Sequence, residues 1–113
     1  MIVEMRIYTL TFGSTGRYFD LYREFGQAIQ WRILSEPLGY YATEVGALNQ
    51  VVHLWRYASF EERTARRARL WQDAGWLAFA GKIAPLVVAQ ESRLMVDAPL
   101  RPLDQTEGGV VPR

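Results

Sequence analysis

Ile2, Glu4, Arg6, Tyr8 and Leu10 alternate with Val3, Met5, Ile7 and Thr9, a period of two that predicts a strand. One of its faces is polar and aromatic and the other is almost wholly apolar. Two glycines in Phe12-Gly13-Ser14-Thr15-Gly16 break the run, and Ser14 or Thr15 is placed to accept backbone N–H groups at the start of a helix. Tyr18, Leu21, Tyr22, Phe25, Ala28, Ile29 and Ile33 then recur at three and four, predicting one long amphipathic helix that ends before Pro37. Leu38 to Val45 and Gln50 to Tyr57 read as two strands joined by a tight turn at Gly46 to Asn49. In the second of them apolar residues fall on both faces, as expected of a central strand. Val51, His53, Trp55 and Tyr57 share one face; Val52, Leu54 and Arg56 share the other.

Ser59 followed by Glu62 is a capping box, opening a second helix from Phe60 to about Asp73. A helical piece, Trp76 to Ile83, stops at Pro85, and Val87 to Val96 reads as the last strand. From Ala98 the chain mixes Pro, Gly and charge without period. The expected organisation is therefore one domain over 1–97 and an extended tail over 98–113, whose final Val111-Pro112-Arg113 resembles a protease-site remnant of an expression tag. Strand, helix, strand, strand, helix, strand is the α+β, ferredoxin-like split βαβ order with an antiparallel sheet. One sheet face takes the helices, and a second copy of the chain is the simplest cover for the other.

Composition supports that last step. At 113 residues a single sheet with one helical layer fits, and half the residues are hydrophobic, with four Trp, six Tyr and five Phe. That apolar load favours a homodimer. Thirteen basic residues, twelve of them Arg, face twelve acidic ones, so charge gives no reason to expect nucleic acid or an anionic membrane as partner. With no cysteine the sequence excludes disulfides, thiolate nucleophiles, iron–sulfur clusters and cysteine zinc sites. No run approaches the ~20 apolar residues of a membrane span, and the opening MIVEMRIYTL lacks a signal-peptide pattern, so a soluble cytoplasmic protein is expected.

The opening VEMRIYTL, the central TEVGALNQVVHLWRY, the following SFEERTARRARLW, the segment DAGWLAFAGKIAPL and the closing QESRLM together resemble the NIPSNAP family, over roughly residues 2 to 96. The resemblance implies a dimeric α/β barrel in which two ferredoxin-like sheets pack face to face. Distant relatives with that barrel include cofactor-independent monooxygenases, cyclases and isomerases, and some haem proteins. Fold analogy of this kind does not assign a reaction.

Glu4, Arg6 and Tyr8 put an unusual polar load on one face of a strand. Two readings stand: a buried structural Glu–Arg pair, or polar groups converging on an apolar ligand pocket. Glu91 and Arg93 repeat the alternation on the last strand. His53, the only histidine, is either a satisfied core residue or a general acid or base, since its unperturbed pKa near ~6.5 suits proton transfer. One imidazole cannot build a facial metal triad, whereas an axial haem ligand needs only one. Arg63, Arg66, Arg67 and Arg69 read as a solvated helix face, with Glu62 and Arg66 spaced as an i,i+4 pair.

Two functions follow. The first is a cofactor-independent enzyme acting on a small aromatic or polyketide-like molecule, with His53 and Tyr8 as catalytic residues and Glu4, Arg6, Trp55, Tyr57 and Arg93 binding substrate, without metal or cofactor. The second is a non-catalytic module that binds a small molecule or a protein.

Overall fold

The computed structural model describes residues 1–100. Strands β1 (Ile2–Leu10), β2 (Gly39–Ala42), β3 (Gln50–Tyr57) and β4 (Val87–Val96) form one sheet in the order β2-β3-β1-β4, every neighbouring pair antiparallel. Helices α1 (Thr15–Leu21), α2 (Gln27–Leu34), α3 (Phe60–Leu70) and α4 (Ala74–Ile83) supply the connections. This is the ferredoxin-like arrangement expected from the order of periods, with β1 and β3 at the centre. The greater part of the expected tail, 101–113, including Val111-Pro112-Arg113, lies outside the described residues. Among those described, no helix is long and apolar enough to cross a membrane.

The register sets Glu4 opposite Trp55, Arg6 opposite His53 and Tyr8 opposite Val51, so the even face of β1 and the odd face of β3 are one surface. That surface meets the helices: Tyr8, Leu10, Val51, Trp55 and Tyr57 pack with Tyr18, Leu21, Tyr22, Leu34, Leu70 and Phe79 in one core. The reverse face carries Val3, Met5 and Ile7 of β1 with Val52 and Leu54 of β3, all partly exposed. Glu91 and Arg93 stand beside Ile7 and Met5 on this reverse face.

Three local details differ from the sequence expectation. The first long helix is interrupted by a π-helical turn, Tyr22–Gly26, which the three-and-four spacing of its apolar residues does not distinguish from continuous α-helix. A Cβ on Gly26 would lie 3.1 Å from three atoms of the Phe79 ring, so this glycine lets α4 approach closely. Second, β2 ends at Ala42, and β3 is reached by a seven-residue loop over 43–49, not a tight turn. Gly46 (φ 119°) and Asn49 (φ 62°) supply its left-handed backbone, and the Asn49 side chain accepts the Gly13 N–H at 3.2 Å. Third, Ser14 occupies the N-cap of α1 without capping it, because its hydroxyl bonds the Thr11 hydroxyl. The expected capping box does form: Ser59 Oγ accepts the Glu62 N–H at 3.1 Å, and the Glu62 carboxylate accepts the Ala58 N–H. Asp73 caps α4 by accepting the Trp76 N–H at 3.0 Å.

Candidate functional site

Glu4 has no exposed surface, and an isolated carboxylate there would be neutralised. It keeps its charge because four donors converge on it. Arg63 reaches across from α3 with Nε 3.0 Å from Oε1 and Nη2 2.8 Å from Oε2. Arg6 Nη1 and Ser92 Oγ donate to Oε2 at 3.0 and 2.5 Å. Burial works to raise its pKa, but the hydrogen bonds from Arg63 and Ser92 and the charges of Arg6 and Arg63 prevail, taking it down to about 2.

The rest of the Arg6 guanidinium serves Tyr8. Nε and Nη2 both donate to the Tyr8 phenol oxygen, each at 3.3 Å. Burial disfavours the Arg6 charge, yet the Tyr8 and Glu4 oxygens more than offset it and hold its pKa above the ordinary value. A phenol oxygen that accepts two guanidinium hydrogens keeps its own O–H free to donate elsewhere.

Tyr8 and Arg6 both line a cavity of about 360 Å³ between the sheet and α4. Arg6, Tyr8 and Gln90 bring polar groups from β1 and β4, and Trp71 and Trp76 bring rings 6.1 Å apart set edge to face. Ile83 and Val87 are among the aliphatic side chains that complete the lining. Trp76 is buried and its indole N–H has no partner among the described residues. Convergent polar groups in an aromatic-lined hollow are the usual anatomy of a small-molecule site.

His53 is placed differently. It is fully buried, stacked on Tyr40 at 4.5 Å with the Tyr8 ring edge-on at 4.9 Å, and it does not line the cavity. Trp55 Nε1–H donates to its Nδ1 at 2.6 Å, which puts the ring hydrogen on Nε2, an atom without a partner among the described residues. Burial first, and the charge of Arg6 second, lower its pKa to about 3, so the imidazole is neutral at physiological pH. Packed rings leave no open coordination position, so these residues do not fit an axial haem.

Of the residues expected to form a site, Glu4, Arg6 and Tyr8 are brought together, with Arg6 and Tyr8 on the cavity. Trp55 and Tyr57 are core residues outside its lining. Arg93 is on the opposite sheet face, exposed and paired with Glu91 at 3.1 Å. Sequence reasoning missed Arg63, Ser92, Trp71, Trp76 and Gln90. Arg63 is not part of a solvated face, since its guanidinium is held by the buried Glu4; Arg66 does pair with Glu62 at 2.8 Å, and it also donates to the Leu34 carbonyl at the end of α2. The available signal was the spacing of Arg63, Arg67 and Trp71, four residues apart on one face of α3.

A sequence model of the NIPSNAP family matches residues 3–102. The chain belongs to the NIPSNAP family. This NIPSNAP chain is 31% identical over 103 residues to Protein NipSnap homolog 1 of Danio rerio, covering 90% of the chain and 36% of that protein. It thus spans about a third of the length of that curated relative. A solved NIPSNAP family protein from Agrobacterium tumefaciens is 41% identical and superposes with a TM-score of 0.85, over 90% of this chain and 97% of the other. A solved antibiotic biosynthesis monooxygenase superposes at 0.62 with 14% identity, over 88% of this chain and all of the other, a likeness of fold alone.

Proposed function

We propose that this NIPSNAP domain is a cofactor-independent enzyme whose cavity takes a small aromatic molecule bearing an oxygen function, with Tyr8 as the proton donor. The observation that carries the reading is the double donation from Arg6 to the Tyr8 oxygen at the cavity wall. When the Tyr8 proton passes to a ligand carbonyl oxygen, the charge left on Tyr8 is met by two preorganised guanidinium N–H groups. An acidic C–H beside that carbonyl then loses its proton to water, giving the enol, and Tyr8 recovers a proton from solvent. Glu4, locked by Arg63 and Ser92, fixes the Arg6 plane and is itself too well bonded to act as a base.

The aromatic ketone 2-tetralone tests this step. Exchange of its acidic hydrogens in deuterium oxide, followed by NMR, should run faster with protein than in buffer, and Tyr8→Phe should lose roughly a hundredfold of that acceleration while binding persists. The second reading, a non-catalytic binding module, is favoured by the sealing of the only imidazole in the chain. Saturable binding of 2-tetralone with exchange no faster than in buffer would establish it and remove the catalytic role of Tyr8.

A homodimer belongs to the same proposal. The reverse sheet face leaves Val3, Met5, Ile7, Val52 and Leu54 partly exposed with none of the described helices over them, and Met95 37% exposed. Covering that surface with a second copy gains about 25 cal/mol per Å². Light scattering at micromolar concentration should give twice the chain mass; a monomer rules the face-to-face pairing out.

A further inference from the structure

Tyr8 and Gln90 stand directly opposite one another in the β1–β4 register, on the sheet face that meets the helices, and both line the cavity. Side chains of such a pair leave the sheet roughly 5 Å apart and point the same way, so their polar ends meet neighbouring groups of one small ligand. Tyr8 is accounted for, since its oxygen accepts twice from Arg6 and its O–H is left to donate. Gln90 is exposed, and its side chain makes none of the hydrogen bonds found among the described residues. Ser92, next on the same face of β4, is committed to Glu4.

The lining is short of acceptors. Arg6 and the two tryptophans can only donate, the Tyr8 oxygen already accepts twice, and the other lining side chains apart from Gln90 are aliphatic. Among the described lining side chains the carboxamide oxygen of Gln90 is therefore the one free acceptor. A ligand group that donates a hydrogen bond has its side-chain partner there, and a donor enclosed without a partner costs free energy.

We propose that Gln90 sets the specificity of the cavity and that the ligand is an aromatic α-hydroxyketone. Its carbonyl oxygen takes the Tyr8 hydrogen, and the hydroxyl on the adjacent carbon donates to Gln90 Oε1. This rests on the cavity being a small-molecule site with Tyr8 as donor, as argued above, and adds the second functional group of the molecule. The carbon that bears the hydroxyl keeps the acidic hydrogen that enolisation removes. A hydroxyl carried on the ring away from the carbonyl lies beyond the reach of the Tyr8–Gln90 pair.

Isothermal titration of the whole chain with 1-tetralone, 2-hydroxy-1-tetralone, 2-methoxy-1-tetralone and 6-hydroxy-1-tetralone tests it. The 2-hydroxy compound should bind roughly fivefold tighter than 1-tetralone, the worth of one added hydrogen bond. The 2-methoxy compound, which accepts but cannot donate, and the 6-hydroxy isomer should bind no tighter than 1-tetralone. Gln90→Leu should abolish the preference for the 2-hydroxy compound, whereas Gln90→Glu, which keeps an acceptor oxygen, and the exposed Arg69→Gln on α3 should retain it. Melting curves confirm that each variant is folded, and the comparison of the four probes on the unaltered protein stands without any variant. A 2-hydroxy compound that binds no tighter than 1-tetralone, than its 2-methoxy ether or than its 6-hydroxy isomer would overturn the role of Gln90 and leave the cavity reading intact, and so would a preference that survives Gln90→Leu. Binding of none of the four probes would overturn both.

Discussion

Glu4 and His53 lie on neighbouring central strands, on the same sheet face, each without exposed surface. Both were candidates for chemistry, and burial shifts them to opposite fates. Glu4 stays charged because four donors were built around it, whereas His53 is surrounded by Tyr8, Tyr40 and Trp55 and is kept neutral. A buried ionisable side chain is therefore no guide to function by itself. What distinguishes the two is continuity: from Glu4 a chain of hydrogen bonds runs through Arg6 to Tyr8 and the cavity, and from His53 it ends at Trp55.

Breaking the charged side of this contrast has the largest expected effect. Glu4→Leu strands Arg6, which is 12% exposed, and frees Arg63, so chemical denaturation should show a loss of about 3 to 5 kcal/mol. A loss under about 1 kcal/mol would mean that the arginines reach water readily and that the network is a surface one.

Acid separates the two sites next. Both folded pKa values are depressed, from 6.5 to about 3 for His53 and from 4.5 to about 2 for Glu4, so over those windows the unfolded chain holds the extra proton and stability falls as pH drops. Between pH 6.5 and 4.5 the slope should be about 1.4 kcal/mol per pH unit from His53 alone, and roughly double once Glu4 joins below 4.5. His53→Asn should flatten the upper arm and leave the lower one. A flat profile from pH 7 to 4.5 in the unaltered protein would contradict a neutral, sealed imidazole.

The smallest change sharpens the comparison. Ser92→Ala removes one of four donors to Glu4 and should cost about 1 kcal/mol, with the lower acid arm moving to slightly higher pH in the same melts. An unchanged lower arm would show that the two arginines alone set the Glu4 pKa.

How far the sequence foretold this follows from which interactions are local. Alternation placed Glu4, Arg6 and Tyr8 on one face and His53 with Trp55, and the strand order made them neighbours. Glu62 and Arg66, four apart on a helix, also paired as read. Arg63 is 59 residues from Glu4, and the side of α3 that turns inward is decided by packing, because an Ala- and Arg-rich helix carries almost no apolar stripe to announce it. Trp71 and Trp76 could not be singled out from the sequence, because a cavity is a property of the space between elements. Arg93 misled because strand alternation shows which residues share a face but not which face two strands share, and the β1–β4 register sets it beside Met5.

The glycine contact between the π turn and α4 bears on diversity among proteins of this shape. Gly26 is not among the residues that line the cavity, yet the Phe79 ring against it belongs to the helix that carries Trp76 and Ile83. Position 26 is a shim. A larger residue there would push on the Phe79 ring, which must give by a few tenths of an ångström on the helix that supplies two of the lining side chains, so the width of the hollow can be adjusted from a position outside its lining.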